Sequence, residues 1–348
     1  MKHLYISSLC LILPLSLATA QEARLQPGKG VSFKSEDGNA TLNLGGRIQA
    51  RYAYEDNGDS STFSIPRLRL ALKGTLYGSW NWEFQSDFAK NEKTTLKDGF
   101  VEYVFAPALA VRGGQFKTAF DRQQLESSGR QTFVDRNIAS TTLGKGRDAG
   151  VQAHGAFMNK VVQYQAGLFN GTGEGGTNTN AGHMVVGRVS WNPFGDFGLS
   201  QSDLKPSAKP LMFVDLAAYR DLDAGGTADG TTGLALGAGV KMAGAYGAAE
   251  YFHRETSASV VSSGFYAQVS YMVMPEFLEL AARYAQVDPN TDVDANLRTE
   301  TTGGVNVYFN KAGHGLKLNT DVSLLGDETK TGDLKDNTRF RTQLQLVF

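Results

Sequence analysis

Residues 66–74 read PRLRLALKG, with Arg67, Arg69 and Lys73 on one parity and Leu68, Leu70 and Leu72 on the other. Side chains of an extended strand point alternately to its two faces. This stretch therefore sets a row of cations back to back with a row of leucines. A soluble barrel fills its interior with hydrocarbon, whereas a membrane barrel turns its aliphatic face to lipid and its polar face to a wet lumen. A soluble β-sandwich with one wet face would show the same alternation, so the rest of the chain has to decide.

Working outward, the same period of two recurs. In NLGGRIQARYAY, Leu44, Ile48 and Tyr52 oppose Arg47, Gln49 and Arg51; in WNWEFQSDF, Trp82, Phe84 and Phe88 oppose Glu83, Gln85 and Asp87. DGFVEYVF, AVRGGQF, AGVQAHGAF, VVQYQAGLF, MVVGRVSW, LMFVDLAAY, GLALGAGVKM, YGAAEYFHR, GFYAQVSYMV, FLELAARYAQV, GGVNVYFN, GLKLNTDVSLL and RFRTQLQLVF follow, about sixteen segments in all. Hairpins in series are the reading. Short connections (77–79, 106–107, 158–160, 243–244, 274–276, 310–314) interleave with longer polar ones (55–63, 117–146, 170–181, 221–230, 255–262, 288–297, 326–337). One trimmed rim and one elaborated rim are the mark of periplasmic turns against external loops. The stretch 192–210 is a long turn on the trimmed side, for which the sequence offers no reason. The sequence thus predicts an all-β fold: a transmembrane antiparallel barrel of about sixteen strands.

Residues 1–20, MKHLYISSLCLILPLSLATA, have an early Lys, a short apolar run and Ala18-Thr19-Ala20, the build of a secretory signal peptide. The division expected is a leader at 1–20, a short N-terminal segment at 21–40 and one barrel domain at 41–348. Removing the leader leaves 348 − 20 = 328 residues, about 20 per strand with its connection, which suits tilted strands of ~10 residues. Cys10, in the leader, is the only cysteine, so no disulfide framework or thiolate metal site is expected. The net charge of −1 excludes a polycation built for nucleic acid. A mean hydropathy of −0.27 leaves no apolar run long enough for a helical span.

Several phrases, in order along nearly the whole mature chain, resemble the phosphate-selective porin O and P family: NLGGRIQARYAY, PRLRLALKG followed by WNWEF, GGQFKTAF, SSGRQTFVDRN, GRDAGVQAHG, GRVSWNPFG, LAARYAQVD and QLQLVF. The ending on Phe348, in phase with Phe340, Leu344 and Leu346, also resembles that of bacterial outer-membrane proteins. The resemblance implies a trimeric outer-membrane diffusion channel among outer-membrane lipid, often anion-preferring, with phosphate or polyphosphate as solute and a third external loop folded into the pore. Here that loop is 117–146, longer than a structureless surface loop needs. Lys117, in GGQFK, is the one residue carried over as a constriction cation.

The charges give a path of their own. Lumen-phase Arg47, Arg51, Arg67, Arg69, Lys73 and Arg112, with Lys117, Arg122, Arg130 and Arg147 from the loop and its hinges, are the expected anion path, because like charge on a narrow wall concentrates counter-ions. Counting across the turn 77–79 sets Lys73 opposite Glu83 and Arg69 opposite Asp87, pairs that can simply satisfy one another. Arg47, Arg51, Arg67 and Arg112 have no partner that the sequence reveals. A general or cation-tolerant pore is the competing reading, and an outer-membrane barrel hydrolase a third. Against the third, His154, His183, His253 and His314 are far apart, and no nucleophile elbow, zincin pair or Walker loop is present. No catalytic residue, metal or cofactor is expected.

Overall fold

The structure is a computed structural model and describes residues 20–89, 93–222, 230–311, 313–330 and 336–348. All of the leader-like segment but Ala20 lies outside the described residues, as does most of the connection 221–230. The strands are β1 (Ala20–Gln26), β2 (Gly30–Ser35), β3 (Thr41–Glu55), β4 (Ser60–Leu76), β5 (Trp80–Asp87), β6 (Thr95–Ala106), β7 (Leu109–Lys117), β8 (Arg147–Phe157), β9 (Val162–Phe169), β10 (Met184–Trp191), β11 (Leu211–Asp221), β12 (Thr231–Met242), β13 (Ala245–Glu255), β14 (Val261–Met274), β15 (Leu278–Asp288), β16 (Arg298–Tyr308), β17 (Leu316–Asp327) and β18 (Asp336–Val347). Two short helices, α1 (Arg122–Leu125) and α2 (Ile138–Leu143), lie between β7 and β8.

From β3 onward each strand pairs antiparallel with its sequence neighbour, and β18 returns to β3 from Arg339↔Glu55 to Val347↔Arg47. The ring of sixteen strands is closed. Phe348 extends the seam: its N–H donates to the Gly46 carbonyl at 2.9 Å, and its carbonyl accepts from the Gly46 N–H at 2.6 Å. Gly46 is needed there, since an added Cβ would come within 2.5 Å of the Phe348 ring. The stretch 21–40, set apart from the barrel by the sequence reading, holds a hairpin whose β2 pairs with the foot of β3 (Val31↔Leu44 to Lys34↔Thr41). Hairpin β3–β4 runs higher than expected, leaving a loop of 56–59 where the sequence suggested 55–63. Pro66, which cannot donate to a ladder, sits in the register shift between Gln49 and Arg51, where sheets tolerate it.

The two faces have the polarity posed by PRLRLALKG. Along β14, Tyr266, Gln268, Ser270 and Met272 are 1, 2, 6 and 2% exposed, while Val269, Tyr271 and Val273 are 60, 54 and 48% exposed. The bare row is apolar and the covered row mixed. Leaving such side chains in water would forfeit about 1.5–3 kcal/mol each, so this surface is built for lipid. Trp80 stacks edge-on against Tyr103 at 4.8 Å and Tyr103 against Phe105 at 4.6 Å, an outward aromatic group at the trimmed rim where membrane girdles belong.

One expectation needs correcting: the lumen is not uniformly polar. On the β9–β15 side it is filled by an apolar cluster that includes Phe169, Met184, Val186, Tyr219, Phe252, Tyr266 and Val287 from the wall. What covers them is the loop described next.

The lipid-facing assignment makes a quantitative prediction. Val269→Arg should lower folding stability in lipid vesicles by about 2–4 kcal/mol, the cost of a cation near the bilayer midplane. Lys73→Gln, on the opposite face of its strand, should change it by less than about 0.5 kcal/mol. Denaturant titration of the vesicle-inserted barrel reads both.

Candidate functional site

Loop 117–146 turns into the barrel because its own sequence carries an apolar side and two caps. The Asp121 carboxylate accepts from the Gln123 N–H at 2.8 Å to open α1, and the Asn137 side chain accepts from the Ser140 N–H at 2.9 Å to open α2. Asp121 also takes the Ser140 hydroxyl, tying the two helices together. Phe116, Ala119, Phe120, Ala139 and Leu143 then bury themselves against the apolar sector of the wall. These five residues cannot be wetted cheaply, so the inward fold is the favoured one.

The polar edge of the loop is fastened residue by residue. Arg122 is buried, donating to Asp215 at 3.0 Å and lying 3.6 Å over the Phe213 ring. The Val134 N–H reaches Asp321 at 3.0 Å, the Ile138 N–H reaches Glu300 at 3.0 Å, and Lys317 donates to the Gln131 carbonyl at 2.7 Å. Asp135 holds three guanidiniums at once: Arg51 through both oxygens at 2.8 and 3.0 Å, Arg67 at 3.0 Å and Arg341 at 3.1 Å. Burial alone would raise the Asp135 pKa, but the charges of Arg67 and Arg51, backed by the Arg51 hydrogen bond and Arg341, hold it well below the usual carboxylate range. A depressed folded-state value means that this contact contributes fully above the ordinary Asp pKa and is lost only as pH falls through the depressed one.

With the β9–β15 sector filled, the open lumen is pushed against β3–β9. There a cavity of about 1000 Å³ is lined by Lys29, Arg47, Arg69, Lys73, Arg112, Lys117, Arg130, Arg136 and Arg147 and, among the described residues, by two acidic side chains, Glu83 and Asp98. Three of the cations are matched: Arg69 to Asp87 at 2.8 Å, Arg112 to Glu102 at 2.6 Å and Arg147 to Asp98 at 2.6 Å. Arg47, Lys117 and Arg136 meet neutral groups instead. Arg47 donates to the hydroxyls of Ser127 and Ser128 at 3.4 and 2.8 Å, lying so close to Gly129 that a Cβ there would fall 2.1 Å from its nitrogen. Lys117 donates to the carbonyls of Leu125 and Glu126, both at 2.9 Å, and Arg136 to that of Gln123 at 2.7 Å. Burial, with the charges of Arg67, Arg147 and Arg69 behind it and Asp121 opposing, brings Arg136 down to about 10, still charged at neutral pH. Arg130 and Lys73 are exposed to the cavity.

The structure thus brings together Arg47, Arg69, Lys73, Arg112, Lys117, Arg130 and Arg147 of the residues named from sequence. Arg51, Arg67 and Arg122 stand elsewhere, in the seat of the loop. Arg51, Arg67 and Arg112, for which the sequence revealed no partner, all have an acid. Lys73 is in register with Glu83 as counted, yet the two close no ion pair, whereas Arg69 and Asp87 do. Arg136 and Lys29 are additional. Arg136 was visible as a loop charge; Lys29 comes to the pore mouth only because the N-terminal hairpin turns beneath it. His154 faces Glu102 at 2.7 Å and belongs to the Arg112 pair. No cluster of His, Cys, Asp and Glu among the described residues is fit for a metal ion.

A sixteen-stranded ring with an inward loop and a cationic passage invites comparison with known proteins. The family model described as Phosphate-selective porin O and P matches residues 41–348. The chain belongs to that family. It is therefore an outer-membrane porin, placed in the bacterial outer membrane. An uncharacterized protein of Aquifex aeolicus (strain VF5) is 26% identical over 380 residues, covering 92% of this chain and 89% of its relative. Among solved structures, the anion-selective porin from Comamonas acidovorans superposes with a TM-score of 0.61 at 15% identity, over 89% of this chain and 100% of that one. The outer-membrane channel DcaP of Acinetobacter baumannii gives 0.61 at 13%, over 91% and 99%. At these identities the two structures speak for the fold. Family and fold point to a channel rather than an enzyme.

In this porin the loop's hold depends most on Asp135. Asp135→Asn should leave Arg51, Arg67 and Arg341 facing each other and cost about 1.5–3 kcal/mol, the worth of hydrogen bonds to a charged group. The expected readouts are faster proteolysis within 117–146 in the detergent-folded barrel and a noisier open-channel current, with the barrel still formed.

Proposed function

We propose that this porin passes small hydrophilic anions by passive diffusion, with phosphate or polyphosphate as the solute class that the family description supports. One observation carries the reading: the open lumen is bordered by nine cations and two acids in a chain whose net charge is −1. The acids are not scarce; they are spent elsewhere, in pairs that fasten the wall and the loop. Five of the bordering side chains, Arg47, Lys73, Lys117, Arg130 and Arg136, carry no carboxylate contact among the described residues. In a narrow passage with low-dielectric walls, such an excess concentrates anions and excludes cations. Lysines offer point charges from which a passing anion is readily released, and guanidiniums offer planar forks.

Assembly as a homotrimer, by likeness to the family, and export through cleavage after Ala20 belong to the same proposal.

Purified porin in a planar bilayer under a potassium chloride gradient should give a reversal potential of anion-selective sign. Replacing the two exposed lumen cations together, Lys73→Glu with Arg130→Glu, should lower the chloride-to-potassium permeability ratio by about threefold or more, since both lie where the potential is focused. A cation-selective native channel would discard this reading in favour of the cation-tolerant pore.

A further inference from the structure

The connection 192–210 is out of keeping with its rim. Short turns join the other strands on that side, and a rim turn is expected to be wet, yet Asn192, Phe197, Gln201, Ser202 and Asp203 are each 5% exposed or less. The segment climbs into the lumen. Phe197 packs on Phe213 at 4.7 Å and beside Tyr246, and its carbonyl takes the Lys241 ammonium at 3.3 Å. Its far end is sewn to the neighbouring turns: the Gly244 N–H donates to Asp203 at 2.8 Å and the Glu276 N–H to the Leu204 carbonyl at 3.1 Å.

At its summit this turn meets loop 117–146 coming from the other rim. Gln201 makes the junction. Its side-chain oxygen accepts from the Thr132 N–H at 3.0 Å and its amide donates to Glu126 at 2.6 Å; its carbonyl accepts the Thr132 hydroxyl at 2.8 Å and its N–H reaches the Arg130 carbonyl at 3.3 Å. Arg122 adds a bond to the Gly198 carbonyl at 2.6 Å. Every polar group of Gln201 is thereby used inside the loop. Beside this junction Leu199, 41% exposed, faces the cationic cavity and also a smaller one of about 120 Å³ behind it.

We infer that turn 192–210 is the second jaw of the constriction. The external loop and this periplasmic turn, rising through Phe197 and latched to the loop by Gln201, together form the side of the narrow passage that faces the wall β3–β9, with Leu199 as the turn's edge. It blocks the β10–β13 side of the barrel from below, as the loop blocks it from above, so solute is confined to the wall β3–β9. The bore is then set by two segments 46 residues or more apart in sequence. The inference rests on the reading of the chain as a diffusion channel, and is independent of the sign of its charge preference.

The test places a single thiol at that edge, in the porin folded without residues 1–20, which carry Cys10, the only native cysteine. Leu199→Cys, folded and inserted in a planar bilayer, is treated with a bulky charged methanethiosulfonate, with Lys209→Cys, at the exposed foot of the turn, as the control. Modification of Leu199→Cys should cut single-channel conductance by about half or more, since it fills a constriction, and modification of Lys209→Cys should leave it unchanged. Conductance measures the jaw; the reversal potential, measured separately, measures anion preference, so either idea can fail alone. A Leu199→Cys thiol that mass spectrometry shows unlabelled in the folded channel, or labelled without change in conductance, overturns the inference. So does an equal loss in the Lys209→Cys control.

Discussion

Hydrocarbon offers a backbone no hydrogen-bond partners, and every feature of this porin follows from meeting that condition. A sheet with free edges would leave N–H and C=O groups unsatisfied at several kcal/mol each, so it must close on itself. Closure between β18 and β3 does this, and it turns the pleat into a partition. Residues of one parity face acyl chains and residues of the other face the enclosed space. The mixed character of the inner parity then becomes a resource, because a closed ring has an interior that can be furnished with charge, loops or both.

What is done with that interior is an exercise in allocating carboxylates. Asp135, Asp215, Glu300 and Asp321 are all committed to holding segments or guanidiniums in place, three of them on the β11–β18 side. Along β3–β9 several cations are instead held by hydroxyls and carbonyls, which orient them without cancelling their charge. The asymmetry is steric as well as electrostatic. Apolar packing under the loop fills one side of the cylinder, so the residual opening coincides with the cationic wall. The charge left in the passage depends on where neutral partners are used, more than on how many cations the chain has.

The strand ring was legible in the sequence because a period of two survives any tertiary context, and all sixteen segments read from it are strands. Arg69 opposite Asp87 was legible too, since a three-residue turn sets the register by counting. Lys73 opposite Glu83 shows the limit: register sets which residues face each other, and long side chains choose among several partners. Asp135 was opaque, because its three cations lie 68 to 206 positions away. Turn 192–210 was opaque for a related reason. Its polar composition reads as a wet rim, and only the loop from the opposite rim makes Gln201 a buried residue. Arg136 and Lys29 join the pore wall through packing of this same long-range kind.

The seat of loop 117–146 carries a kinetic corollary. Its anchors include the carboxylate of Asp321, 187 positions on from Val134, and the guanidinium of Arg341. Those anchors exist as a surface only after the last hairpins have joined the ring. Contacts of such high sequence separation form late and slowly. The loop can therefore take its full seat only once the closing strands are in place, and seating it expels water from the part of the interior it fills.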